Sequence, residues 1–504
     1  MVQTEGRIVS MLSKPTLSQA DVETLNMLLL TGRWDEHRLG EIMTLNKVGS
    51  VVLRNVQYSL PPKITEVVMP RLFPEYKRQY HSPDLLVDPP TDIRDWNPHS
   101  VRAQSQRRLL TRALSLLKSQ GIEPAIVKGA AFQTLASGNY WRESNDSDLF
   151  FRDITDLWKA IRTLEANGFE ADTLWIRRYY PGNGHTPATY TGQLNIYGWE
   201  NGQQFCLDVH YGDFCITTTA GFSMQSIWEH GIRVPLDEVT ALVPKTTDTL
   251  LLLVAHMMSH GYYTYKDLND LAYIVTEWAD EIDWSSVVSR ADHYGLGSVL
   301  AYLLEIGSKR DGYSLPSNVK LPRPPAWMYR YFRPRGLSGP GRVAKAKFLY
   351  ALDYHKRMGT GILTAVSRAT RDAVDVFREE YAWREDLSSP LLQRLLLWLG
   401  ARPIFSGGTL RAGTQVFLVR IDGLPVPNQI KFNQSLKQHH AAILEDTDHQ
   451  FVAASLPGLN LFCSPTGVYI ACPDPVITED QVNRTIELVD SVPLQDVNLG
   501  QNPR

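Results

Sequence analysis

Residues 146–151 read Asp146-Ser147-Asp148-Leu149-Phe150-Phe151. Two carboxylates one residue apart run into three large apolar side chains. On a strand, residues i and i+2 face the same side, so the pattern predicts a buried strand with two like charges at its rim. Like charges on one face repel unless a cation lies between them. Taken alone, an acidic turn before a strand explains the pair as well.

The neighbouring segments give the strand a fold. Upstream, SVRAQSQRRLLTRALSLLKSQG (100–121) predicts an amphipathic helix ending at Gly121, a residue suited to the left-handed C′ position. IEPAIVK (122–128) predicts a short strand and GAAFQTLASG (129–138) a helix. Downstream, ITDLWKAIRTLEANGFEAD (154–172) predicts a helix closed by Gly168. QQFCLDVHYGDF (203–214) alternates like a half-buried strand. Helices interleaved with strands predict an α+β unit with a short mixed sheet and flanking helices.

Farther out, the sequence suggests four regions: 1–95, 96–235, 236–400 and 401–504. The first carries apolar residues at three- and four-residue steps in 17–32 and 34–56, which predicts helices. Residues 61–92 hold many prolines, which predicts broken structure there. The third region opens with TTDTLLLLVAHMMSHGYY, where Thr and Asp predict an N-cap, and continues helical, with a Pro/Arg/Gly-rich loop at about 316–342. In the last, TQVFLVRIDG, HQFVAASLPG and GVYIACPDP predict strands and TEDQVNRTIELVDSV a helix, a small α+β region without a motif.

Composition narrows the classes. The chain has 504 residues and a formal net charge of −3, so no bulk charge draws it to nucleic acid. Its four cysteines, at 206, 215, 463 and 472, form no CxxC pair and no zinc-spaced cluster. The first residues lack a signal-peptide pattern, and no apolar run reaches the ~18 residues of a spanning helix. The expectation is a cytoplasmic protein with no membrane partner. Its oligomeric state is not legible.

The candidate chemistry gathers around 146–148. A hard divalent cation, Mg²⁺ or Mn²⁺, takes carboxylate oxygens and completes its shell with water and substrate phosphates. Val127-Lys128-Gly129-Ala130 is a strand-to-helix turn. There a glycine admits phosphate close to the backbone, the helix N-terminus favours negative charge, and Lys128 adds a cation. In Leu207-Asp208-Val209-His210, Asp208 and His210 share a strand face. Asp208 is then a third carboxylate, as metal ligand or as general base toward an acceptor hydroxyl. Each of these has a plain alternative: a strand–helix junction with a solvated lysine, and an edge strand with polar residues.

Lys128-Gly129-Ala130-Ala131, Arg142 four residues before Asp146, Asp146-Ser147-Asp148-Leu149, and Leu207-Asp208-Val209-His210 together resemble the uncharacterised nucleotidyltransferase family of bacteria. That family is part of the DNA polymerase β-like superfamily. His256-Met257-Met258-Ser259-His260 and Lys266-Asp267-Leu268-Asn269-Asp270 are similar to its later helical motifs. The resemblance covers roughly 20–310. It implies a polymerase β-like core with a helical partner domain and transfer of a nucleotidyl group, AMP from ATP, with release of pyrophosphate. It implies Asp146, Asp148 and Asp208 as catalytic metal ligands, and Lys128, Gly129, Arg142 and His210 as contacts to the nucleoside triphosphate, with a salt bridge to the carboxylates as the equal alternative for Arg142. Gly129-Ala130 departs from the superfamily's Gly-Ser, which removes a hydroxyl from the phosphate turn. The acceptor, a small molecule, a peptide or RNA, is not legible.

Other features have structural explanations. His256 and His260 share a helical face, but no Glu follows the first His, so the zinc-protease pattern is absent. Trp175-Ile176-Arg177-Arg178-Tyr179-Tyr180, with His185 beyond, reads as a surface hairpin or as a cover for a base. Two rival functions stand beside the transferase: a catalytically silent binding scaffold on the same fold, and an enzyme that extends RNA ends.

Overall fold

The computed structural model describes most of residues 2–370, chiefly excepting 31–33, 81–97, 137–145 and 180–188, and beyond these the strands between Ile404 and Cys472. Five helices lead: α1 (Val2–Leu12), α2 (Gln19–Leu30), α3 (Glu36–Leu45), α4 (Gly49–Tyr58) and α5 (Pro62–Tyr80). The core follows with α6 (Pro98–Ser119), β1 (Ala125–Val127), α7 (Lys128–Leu135), β2 (Asp146–Phe151), α8 (Ile154–Glu165), β3 (Glu170–Ala171), β4 (Leu174–Tyr179), β5 (Thr189–Glu200) and β6 (Gln203–Gly212). Then come β7 (Phe214–Thr217), β8 (Ala220–Phe222), α9 (Gln225–His230), β9 (Ile232–Leu236) and β10 (Val239–Val243). A helical stretch follows: α10 (Thr246–His260), α11 (Tyr265–Glu277), α12 (Trp284–His293), α13 (Gly297–Asp311), α14 (Ala326–Tyr331) and α15 (Pro340–Arg357). The last strands are β11 (Ile404–Ser406), β12 (Thr409–Arg411), β13 (Phe417–Asp422), β14 (Ala442–Thr447), β15 (Phe451–Leu456), β16 (Leu459–Cys463) and β17 (Val468–Cys472).

The expected α+β class is the class observed, and the expected elements around 146–151 all form. Gly121 and Gly168 take positive φ, 71° and 84°, where α6 and α8 end. The sheet is larger than a short core sheet. Its order is β14-β15-β16-β17-β13-β4-β5-β6-β2-β1-β10-β9, with β3 beside β5. The late strands join because β13 pairs in parallel with β4. That non-local pairing has no signature in local sequence.

The sheet separates two cores. On one face α6 and α8 cover Ile126, Leu149, Phe151, Leu207 and Val209. On the other, Val127, Phe150 and Phe214 continue into a core shared with α1–α5 and α10–α13. Alternation along β2 and β6 decides which side chain meets which core. Asp148 and Phe150 therefore face the helical layer, while Leu149 and Phe151 face α6 and α8.

Two local expectations fail. In its described part the proline-rich segment does not break: α5 runs through Pro70 and Pro74, and 81–92 lie outside the described residues. Ile64, Val68 and Leu72, four residues apart, are buried at 3%, 1% and 0% exposure. Burial of that stripe outweighs the hydrogen bonds the prolines remove. The Thr/Asp N-cap of α10 is also absent, since Lys245 is the cap residue and makes no side-chain cap bond. Thr246 Oγ1 bonds Glu281 at 2.5 Å instead, and Asp248 pairs with Arg290. The predicted helix at 478–492 lies outside the described residues.

Candidate metal and nucleotide site

Parallel pairing of β2 with β6 builds the site. The register sets Asp148 opposite Asp208, Phe150 opposite His210 and Asp146 opposite Cys206. Ligand atoms of Asp148, Asp208 and His210 all lie within 4.8 Å of one another. His210 Nε2 is 3.1 Å from Asp208 Oδ2 and 3.7 Å from Asp148 Oδ1. It lacks an aligned hydrogen-bond partner, so charge holds it there. Its ring stacks on Phe150 with centroids 4.6 Å apart.

Lys128 is the other counter-charge. Its Nζ donates to Asp148 Oδ1 at 2.7 Å, with side-chain exposures of 10% and 6% for the pair. It also lies 5.4 Å above the Phe214 ring. Lys128 itself has φ +50°, whereas Gly129 stays out of the left-handed region. The turn's conformational demand thus falls on the lysine rather than on the glycine beside it. A non-glycine residue there is strained, and the strain turns the lysine where α7 begins, with its ammonium on Asp148.

Electrostatics follow burial. Burial alone would push Asp148 up, but Lys128 and then His210 hold its carboxyl below the ordinary range. Burial likewise opposes the charge on Asp208, and His210 and Lys128 overcome it and hold it low. Burial disfavours the charged forms of His210 and Lys128 too. Asp208 nonetheless raises the imidazole, and Asp148 with Asp208 raises the ammonium. Two carboxylates and two cations thus form one compensated cluster in a low-dielectric setting. The carboxylate oxygens are hard donors that suit Mg²⁺, and the imidazole broadens the fit to Mn²⁺. His210 must lose its proton to act as a ligand.

Not every sequence candidate enters this cluster. Asp146 is half-buried on the same face, near enough to act on Lys128 and Asp208, but outside the converging trio. His210, expected as a triphosphate contact, stands at ligand distance from both carboxylates. Gly129 is buried as the second residue of α7. Arg142 and His185 lie outside the described residues. Trp175–Tyr179 form β4, antiparallel to β5. Asp267 caps α11 in a reciprocal box with Thr264, a structural role.

In the helical layer, His256 and His260 pack edge to face, centroids 4.5 Å apart, and the His256 ring centre lies 6.2 Å from that of Phe214. Burial and then Lys128 hold His256 well below its ordinary value. Burial, then Lys347 and Lys128, push His260 down to about 3, although the residue at the end of α10 is exposed by surface area. Both are neutral at pH 7. The sequence offered the pair, but not Lys347, which is distant in the chain.

Residues 95–309 match the family model described as uncharacterised nucleotidyltransferase. No curated protein matches the chain. Two solved structures from Helicobacter pylori resemble it. One is titled as a candidate nucleotidyltransferase, with a TM-score of 0.25 and 11% identity over 55% of this chain and 96% of that one. The other, JHP933, has a TM-score of 0.24 and 10% identity over 56% and 96%. Scores this low carry no argument. Among the described residues, no helix is long and apolar enough to cross a membrane.

Proposed function

We propose that this chain, whose residues 95–309 carry the nucleotidyltransferase match, transfers a nucleoside monophosphate, AMP from ATP, to a hydroxyl of an acceptor. The observation behind this reading is the β2–β6 register that sets Asp148 against Asp208 beside His210. In the reaction, the acceptor oxygen bonds to the α-phosphorus, the α–β phosphoanhydride breaks, pyrophosphate leaves and the hydroxyl proton is released.

Asp148, Asp208 and His210, with Asp146 at the rim, would hold Mg²⁺ or Mn²⁺, which supplies Lewis acidity toward the α-phosphate. Asp208 is held anionic well below neutral pH. An efficient general base has a pKa near the working pH, so Asp208 suits the ligand role better than the proton-accepting one. Lys128 leads α7, whose N-terminal N–H groups and ammonium form an anion-binding corner. That corner can receive phosphate without the serine hydroxyl of the wider superfamily.

The test incubates the protein with each labelled nucleoside triphosphate, with Mg²⁺ or Mn²⁺, with and without cell extract. Pyrophosphate and a labelled product are expected, and Asp146→Ala, Asp148→Ala and Asp208→Ala should each abolish both. No pyrophosphate under any condition, together with no thermal stabilisation by metal–nucleotide, would sink the reading. The silent-scaffold alternative has one supporting observation, the Lys128 ammonium already seated on Asp148, and that outcome would favour it.

A further inference from the structure

A second charged pole faces the carboxylate cluster from the helical layer. Helix α10 ends at His260, and Gly261 (φ +69°) turns the chain against α15 so tightly that a Cβ there would lie 3.2 Å from Lys347 Cγ. After the turn, Tyr262 stacks on His260 with centroids 5.2 Å apart, and Arg335 Cζ sits 5.5 Å from the Tyr262 ring centre. Arg335 is fixed by backbone: its N–H donates to Tyr263 O at 2.8 Å, and its carbonyl accepts from the buried Asn46 amide at 2.8 Å. Lys47 follows Asn46 at φ +52°. Segments around residues 46, 260, 335 and 347 therefore converge on one corner.

The cations there outnumber the carboxylates: Asp267 also acts on His260 and Tyr262, but it is engaged by Lys266 and by the Thr264 cap of α11. Lys47, Arg335 and Lys347 are each half-buried, and none has a carboxylate partner among the described residues. Their positive field is one reason why His256 and His260 stay neutral. The α10 C-terminus offers only a partial negative charge. Three partly desolvated cations without counter-ions favour a multivalent anion. Lys128 bridges the poles: its ammonium is bonded to Asp148 and lies 5.4 Å from the Phe214 ring, whose centre is 6.2 Å from that of His256.

We propose that Lys47, Arg335 and Lys347, set around the His256–His260–Tyr262 ladder, seat the β- and γ-phosphates of the triphosphate and the pyrophosphate that leaves. This rests on the transferase reading above, which fixes where the α-phosphate must lie. It assigns the ladder a role in donor binding rather than packing alone.

The test is calorimetric titration of inorganic tripolyphosphate, metal-free, into the full chain and into Lys347→Met and Arg335→Gln, with thermal melts to show that each variant is folded. Lys345→Met, an exposed lysine of the same helix over the Tyr331 ring, is the control. One charge-assisted bond lost should weaken tripolyphosphate about tenfold, the control should not change, and Arg335→Lys should recover part of the loss. The KM for the nucleoside triphosphate should rise in the same variants. Equal affinity in all variants, or no binding by the wild type, overturns the proposal. So does loss of binding to a short single-stranded RNA with tripolyphosphate affinity intact. Turnover with unchanged KM would remove this assignment and keep the transferase. Tripolyphosphate binding that the variants lose, without pyrophosphate release from any triphosphate, would keep the anion seat and remove the transferase.

Discussion

The two faces of β2 differ by one residue's offset and by nearly everything else. On one side Ser147, Leu149 and Phe151 face α6 and α8, and Leu149 and Phe151 lie in an apolar core. On the other, Asp148 lies among Lys128, Asp208 and His210 at 4% exposure, beside the fully buried Phe150. The first face is held by burial, worth about 25 cal/mol per Å² of apolar surface. The second is costly to bury and stays charged only because each group finds an opposite charge within about 4 Å. A sheet that pairs an ordinary core with a charged cluster across a single backbone keeps apolar packing and charge apart, so substitutions on the two faces should fail in different ways.

The sharpest test is Asp148→Asn. If the charged face performs chemistry, nucleotidyl transfer per folded molecule should fall at least about a thousandfold, some 4 kcal/mol of transition-state stabilisation. Pyrophosphate release checks it. A loss of less than tenfold would leave the charged face a structural cluster. Next comes Lys128→Met. Breaking a buried pair costs about 3–5 kcal/mol, read as a lower unfolding free energy in chelator. A cation that binds only the folded state should return part of it, so millimolar Mg²⁺ or Mn²⁺ should stabilise the variant more than the wild type. Equal shifts would argue against a cation site at Asp148.

The apolar face predicts the opposite phenotype. Leu149→Ala should cost about 3 kcal/mol, as large-to-small changes in packed cores do, with kcat per folded molecule within about twofold of wild type. Coupled loss of stability and kcat would mean that the two faces are not separable.

Much of this contrast was legible in the sequence. Period-two alternation in 146–151 and 203–212 placed Asp148, Asp208 and His210 on the face opposite Leu149 and Leu207, because strand geometry is local. The strain on Lys128 was not legible, since a positive φ at a lysine has no signature in local sequence. Joining β13 to β4 and bringing Lys47, Arg335 and Lys347 together are tertiary events between segments far apart in the chain. The proline-rich segment misled for a related reason: the stripe of Ile64, Val68 and Leu72 acts through packing, while the prolines act locally.

The smallest expected effect tests the electrostatics of the charged face alone. His210 has a raised pKa in the folded protein, above its ordinary 6.5, despite burial and because of Asp208. The folded state therefore binds the proton more tightly than the unfolded state. The stabilisation is fully present below about pH 6.5 and is lost as pH rises through the folded value. Asp148 and Asp208 run the other way: their lowered values give stability above the ordinary carboxylate range, lost only as pH falls below it. Above the carboxylate range, histidine is thus the first member of the cluster to lose its proton. In chelator, the wild type should lose stability relative to His210→Gln as pH rises above about 6.5, measured by urea unfolding at each pH. The metal should reverse the sign, because a ligating imidazole must be neutral. With saturating Mn²⁺, the wild type should gain stability relative to His210→Gln as pH rises. A pH-independent difference in both conditions would show His210 to be a packed neutral ring on Phe150, outside the charge balance of the site.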